Sequence, residues 1–198
     1  MDEVKPLRGR PRSEAAEQAI LEGAVRLLEE GVPLADIGIE RIARAAGVGK
    51  ATIYRRWPGK EELFVAAIRR VEPEEPPLAG TSVREDLIAL LEAQRRWGLA
   101  RRSSALLHNV HAQIKSHPRL WAAYRATVIE PRRRTALDVI RRGQADGEIR
   151  ADLDADFLND LFAGPMLVRT VLRPEGDLPD DFATRIVDAL LAGLRPAQ

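Results

Sequence analysis

Residues 39–57 read Ile39-Glu-Arg-Ile-Ala-Arg-Ala-Ala-Gly-Val-Gly-Lys-Ala-Thr-Ile-Tyr-Arg-Arg-Trp57. Ile39, Ile42, Ala43, Ala46, Val48 and Ile53 can point inward together if the stretch folds as two short helices, 39–46 and 50–56. Gly47 stands where a tight turn between crossed helices needs a backbone free of a Cβ clash. The second helix then offers Lys50, Thr52, Tyr54 and Arg55 outward near its leading end. A recognition helix enters the DNA major groove with that end first. Arginine pairs bidentately with guanine, and threonine or tyrosine hydroxyls bond phosphate or a base edge. Lys60 opens the next helix and suits a phosphate contact, and the free amides at the start of the 39–46 helix could hold another. Trp57, just before the Pro58-Gly59 break, is expected to pack beneath the motif as a core aromatic, and Arg56 to lie on a solvated flank.

Charge supports this reading only when taken locally. The 198-residue chain has a formal net charge of +1. From Arg41 to Lys60, however, there are six basic residues and no acidic one, and Lys5, Arg8, Arg10 and Arg12 crowd the first dozen positions. Two basic islands near one end of a neutral chain suggest a polyanion site. Arg10 and Arg12 are therefore candidate DNA contacts on an arm of the kind that orders in a minor groove.

The run Ile-Ala-x-x-Ala-Gly-Val-x-Lys-x-Thr-Ile-Tyr-x-x-Trp-Pro-x-Lys-Glu-x-Leu, from Ile42 to Leu63, closely resembles the DNA-binding signature of the TetR family. With the preceding helix and the basic arm, the resemblance covers about the first third of the chain. It implies a three-helix DNA-binding domain, a larger helical domain for ligand binding and dimerisation, and repression relieved by a small molecule. It also implies Thr52, Tyr54, Arg55 and Lys60 as DNA contacts, with Lys50 next. The sequence departs from the family pattern in two places. Gly38 stands where the family sets a serine or threonine cap, and the loop VPLADIG before it is about two residues longer than usual.

Outward from the motif, helix is favoured nearly everywhere, because Ala, Leu, Arg and Glu dominate and aromatics make up only 5%. Helical stripes are expected over 14–30, 60–71, 82–99, 103–116, 119–145, 154–172 and 179–194, with Pro131 kinking or splitting the fifth. No stretch alternates with period two. The expected fold is all-α, about nine helices, with an N-terminal three-helix helix-turn-helix domain and a C-terminal helical bundle. The expected boundaries are 1–71 for the DNA-binding domain with its basic arm, 72–81 (EPEEPPLAGT) for a linker, and 82–198 for the ligand-binding and dimerisation domain.

The last two helices are apolar on two sides. Phe157, Leu161 and Val168 form a stripe with Leu172, and Leu158, Phe162 and Met166 form a second. Phe182, Ile186 and Leu190 form another, widened by Val187, Leu191 and Leu194. Two apolar sides imply a core on one and another subunit on the other. Phe157, Leu161, Val168, Phe182, Ile186, Leu190 and Leu194 are the candidate homodimer interface, matched to a palindromic operator on double-stranded DNA. Trp97, His111, Trp121, Tyr124, Phe162 and Met166 are candidate linings of a small-molecule pocket, each of them individually read more readily as plain core. The arginines 132–134, 141 and 142 are expected on a solvated helix face.

Other classes fit poorly. There is no cysteine, no G-x-S-x-G, no phosphate loop, no zinc spacing and no dinucleotide-binding glycine pattern, so neither an enzyme, a cofactor nor a metal is expected. The first residues hold no apolar run and no segment approaches the ~18 apolar residues of a membrane span, so a cytoplasmic protein is the expectation.

Overall fold

A computed structural model describes residues 10–194. All regular structure among them is helical: ten α-helical segments and two π-helical turns. In chain order these are α1 (Arg10–Glu29), α2 (Ile39–Ala46), α3 (Lys50–Tyr54), α4 (Lys60–Val71), α5 (Val83–Ser103), α6 (Ala105–Ile114), α7 (Pro118–Tyr124), α8 (Glu130–Ala145), α9 (Ala155–Leu167) and α10 (Phe182–Leu194). One π turn, Arg125–Ile129, separates α7 from α8; the other, Val168–Leu172, follows α9. The interruption within 118–145 is that first π turn, and Pro131 sits in the first turn of the α8 that follows it, where its missing N–H is no loss. Pro165 lies inside α9, and the helix turns π three residues later.

The helices sort into two compact units. The first gathers the chain up to Val71 with Ala105–Tyr124; the second gathers Glu72–Ser104 with the chain from Arg125 onward. Ala105–Tyr124 do not stay with the C-terminal helices, because α6 packs on α1 and α7 on α4. Leu107, Val110, Ile114, Leu120 and Tyr124 bury their side chains there.

In the first unit, α1 lies along α2 and against α4, burying Ile20, Ala24, Leu27 and Leu28 with Ile42, Ala43, Leu63, Phe64 and Ile68. The longer loop before α2 is part of this core, since Leu34 and Ile37 are 2% and 0% exposed. In the second unit, Val83, Leu87 and Leu91 of α5 meet Val139 and Ile140 of α8, Leu158, Phe162 and Met166 of α9, and Ile186 and Val187 of α10. The close approach of α5 to the second π turn requires Gly98, where an added methyl would overlap the Thr170 side chain.

The arginines expected on a solvated face of α8 do not share one environment. Arg142 donates to Asp86 at 2.5 Å, and the Asp86 side chain is 3% exposed. Arg132 is 16% exposed and paired with Glu72 at 3.0 Å, the Glu72 side chain being 3% exposed. Both correct the expectation: buried carboxylates elsewhere in the unit draw these guanidiniums inward.

Candidate functional site

The turn of the helix-turn-helix is built by hydrogen bonds that a side chain at Gly47 would strain. Gly47 has φ 66°, in the left-handed region. The Val48 amide donates to the Ala43 carbonyl at 3.0 Å and the Gly47 amide to the Arg44 carbonyl at 3.3 Å. This is the Schellman pattern, which satisfies carbonyls that a helix end leaves open. Arg26 of α1 donates to the Ala45 carbonyl at 2.5 Å, adding a cation at the negative end of the α2 dipole. At the other end of α2, Gly38 is extended and supplies no side-chain cap, leaving the amides there without the bond a serine would give.

The chain then turns at once into α3. Ile53 is fully buried and Trp57 is 8% exposed, so the helix is fixed from beneath, as expected for Trp57. The helical hydrogen bonds run past the end of α3: the Arg55 amide donates to Ala51, and the Arg56 and Trp57 amides to Ile53. Arg56 does not lie on a solvated flank. Its side chain is 16% exposed, donates to the Thr52 carbonyl at 3.0 Å and reaches Glu17 of α1 at 3.9 Å. It ties the end of the recognition helix to the first helix.

With that underside fixed, Lys50, Tyr54 and Arg55 are exposed and Thr52 is half-buried beside them. Tyr54 is 55% exposed, which a core role would not allow. Arg55 donates to the Thr52 hydroxyl at 3.3 Å. Arg41 and Arg44 add exposed cations from α2. Lys60 is half-buried; its ammonium stands 5.8 Å from the Phe64 ring centre and 3.5 Å from the Ala35 carbonyl. The side chains of Arg10 and Arg12 lie outside the described residues.

One acidic group joins this face. Lys50 donates to the Glu40 carboxylate at 2.9 Å. That hydrogen bond, with the attraction between the charges, holds Glu40 below the ordinary carboxylate value and Lys50 above the ordinary lysine value. Sequence reasoning missed Glu40 because it lies one residue outside the acid-free window. Its place in the first turn of α2 was the available signal.

The six pocket candidates fall in different units. His111, Trp121 and Tyr124 belong to the first. His111 Nδ1 faces the Leu107 carbonyl at 2.8 Å, so that nitrogen carries a proton, and Nε2 is 3.3 Å from the Tyr124 hydroxyl. Tyr124 meets His111 edge-on and stacks at 6.4 Å with Trp121. In the second unit, Phe162 and Met166 are core, 3% and 0% exposed. Trp97 lines a cleft of about 310 Å³ between α5, α8 and α9. Its indole N–H donates to the Pro73 carbonyl at 2.8 Å, and the Arg132 guanidinium lies 3.5 Å above its ring.

The interface candidates also divide. Ile186 and Leu194, each 7% exposed, are built into the core of their own unit. Leu161, Val168, Phe182 and Leu190 are half-buried, and Phe157 is 48% exposed. Leu167, Val171 and Leu172 carry the apolar surface on along α9 and its π turn, at 51%, 48% and 73% exposure.

Known proteins share this arrangement along most of the chain. Residues 20–67 match the family described as bacterial regulatory proteins, tetR family, and residues 77–190 match the tetracyclin repressor-like C-terminal domain. The HTH-type transcriptional regulator YdeS of Bacillus subtilis is 30% identical over 181 residues, covering 90% of this chain and 88% of YdeS. The transcriptional regulator AcuR of Cereibacter sphaeroides is 29% identical over 172 residues, covering 80% of this chain and 78% of its own. Among solved structures, the TetR family regulator SCO0332 superposes with a TM-score of 0.62 at 29% identity, covering 91% of this chain and 99% of that one. A regulator from Saccharomonospora viridis, solved in complex with choline, superposes at 0.56 with 26% identity over 90% and 96% of the two chains. An exposed basic face on a helix fixed by Ile53 and Trp57 is what such regulators need, and both halves of the chain match: this protein belongs to the TetR family and is a helix-turn-helix transcriptional regulator.

Proposed function

We propose that the protein is a cytoplasmic repressor that binds a palindromic operator as a homodimer and leaves it when a small molecule binds the C-terminal domain. The observation that carries this is the exposed set Lys50, Tyr54 and Arg55, with half-buried Thr52 beside them, on a helix whose underside is locked by Ile53, Trp57 and Arg56. In this reading Arg55 reads a base edge, Thr52 and Tyr54 contact phosphate or base, and Lys50 and Lys60 bind phosphate. The exposed apolar surface of Phe157, Leu167, Val171 and Leu172, flanked by half-buried Leu161 and Val168, supports pairing of two copies, since one unpaired chain would leave it in water. No helix among the described residues is long and apolar enough to cross a membrane.

Selection of bound duplexes from a random-sequence pool tests the reading. The expected product is an inverted repeat with half-sites about one helical turn apart, bound by two chains. An asymmetric site saturated by one chain would contradict it.

A further inference from the structure

The cleft between α5, α8 and α9 has a polar inventory that selects its ligand. Its apolar wall includes Leu90, Trp97, Ile129 and Leu167. Its two guanidiniums are already neutralised. Arg132 faces Glu72 at 3.0 Å and Glu75 at 3.3 Å, and Arg133 is ion-paired with Asp156. The face of Trp97 is covered by Arg132. Thr135 and Asn159 add neutral polar groups to the wall, the Thr135 hydroxyl donating to the Pro131 carbonyl, and two further acceptors there are unused. The carbonyl oxygen of Gln94 is buried and accepts no hydrogen bond. The carboxylate of Asp160 is exposed at the rim and has no ion-pair partner among the described residues.

A buried acceptor with no donor destabilises the free protein until something donates to it. With both arginines spent and Asp160 uncompensated, the cleft favours a cation over an anion. We infer that this cleft binds an amphipathic protonated amine: its ammonium bridges Asp160 and the Gln94 carbonyl, and its apolar body lies on Leu90, Ile129 and Leu167. The inference rests on the reading of this protein as ligand-responsive and names the chemical class of the ligand.

Calorimetric titration of the full chain with hexylamine, 1-hexanol and hexanoate tests it, because the three share one body and differ in the head. The amine is expected to bind at least about tenfold more tightly than the other two, a difference of roughly 1.4 kcal/mol. Asp160→Asn removes most of that preference. Gln94→Leu weakens amine binding while raising the unfolding temperature of the free protein, since it removes an unsatisfied buried oxygen. Tightest binding of hexanoate, no binding of hexylamine, or amine affinity untouched by both substitutions would overturn the assignment. A parallel titration with operator DNA separates the two claims. Hexylamine that binds through Asp160 yet leaves DNA affinity unchanged contradicts ligand release and supports the cleft. Hexanoate that binds and releases DNA contradicts the cleft chemistry and supports ligand release.

Discussion

The Lys50 ammonium donates to the Glu40 carboxylate across 2.9 Å, joining the first residue of the recognition helix to the first turn of the helix before it. The contact aligns the two helices, but it places a negative charge on the face proposed to meet phosphate and occupies a cation proposed to bind it. In the proposed complex, Lys50 exchanges this carboxylate for a phosphate oxygen. Glu40→Gln is therefore expected to raise affinity for random DNA about two- to fivefold at low salt. It should also steepen the slope of log affinity against log salt by roughly one phosphate contact. Binding isotherms across a salt series check this; an unchanged slope would show that Lys50 stays off the phosphates. Because Glu40 is held below its ordinary value, the folded pair persists from neutral pH downward and opens only as pH falls through that lowered value. Random-DNA affinity should accordingly show no step from this pair near neutrality.

The turn itself depends on one backbone conformation. Nothing lies within 4 Å of where a Gly47 side chain would sit, so substitution there is limited by φ alone. Gly47→Ala is expected to cost roughly 1 kcal/mol, and Gly47→Asn clearly less, because asparagine tolerates the left-handed region better. Denaturant unfolding of both variants decides it; equal losses would mean that something other than φ is being disturbed.

Much of this region was legible in the sequence because its determinants are local. Apolar spacing fixed the faces of α2 and α3, and Gly47 marked the turn. What was not legible depends on partners far along the chain. Arg56 and Arg132 look like solvated arginines until Glu17 and Glu72 are brought to them by the fold, the latter from 60 positions away. Periodicity likewise showed that α10 is apolar on two sides but could not say which side is inside. Ile186 and Leu194 face their own core, and the most exposed apolar surface lies on α9 and its π turn. The departure at Gly38 was visible, yet the burial of Leu34 and Ile37 in the longer loop was not.

That division of apolar faces makes a prediction about assembly. Phe157→Asp or Leu172→Asp should give a folded monomer of unchanged helix content, since both positions are exposed within one chain. Ile186→Asp should instead prevent folding, because it buries an unpaired charge. Sedimentation with circular dichroism separates the outcomes; dimers that survive both exposed-site substitutions would move the interface elsewhere.

The cluster around Trp97 predicts a coupling. Arg132 stacks on Trp97 and pairs with the buried Glu72, which directly follows the last residue of α4. Arg132→Met removes this charge-assisted hydrogen bond and should destabilise the protein by about 1.5–3 kcal/mol. Adding Glu72→Gln to Arg132→Met should recover part of the loss. Unfolding of the two single variants and the double variant measures the coupling, and strictly additive losses would contradict a direct pair.

In the proposed function α3 reads DNA sequence while flanking cations supply sequence-independent affinity. The most direct test of this division compares Arg55→Ala and Lys60→Ala on a selected operator and on random duplex of equal length, at one fixed salt concentration. Arg55→Ala is expected to weaken operator binding by about 1–3 kcal/mol while leaving random-duplex binding nearly intact, and Lys60→Ala to weaken both alike. Equal losses on both duplexes for both variants would contradict it.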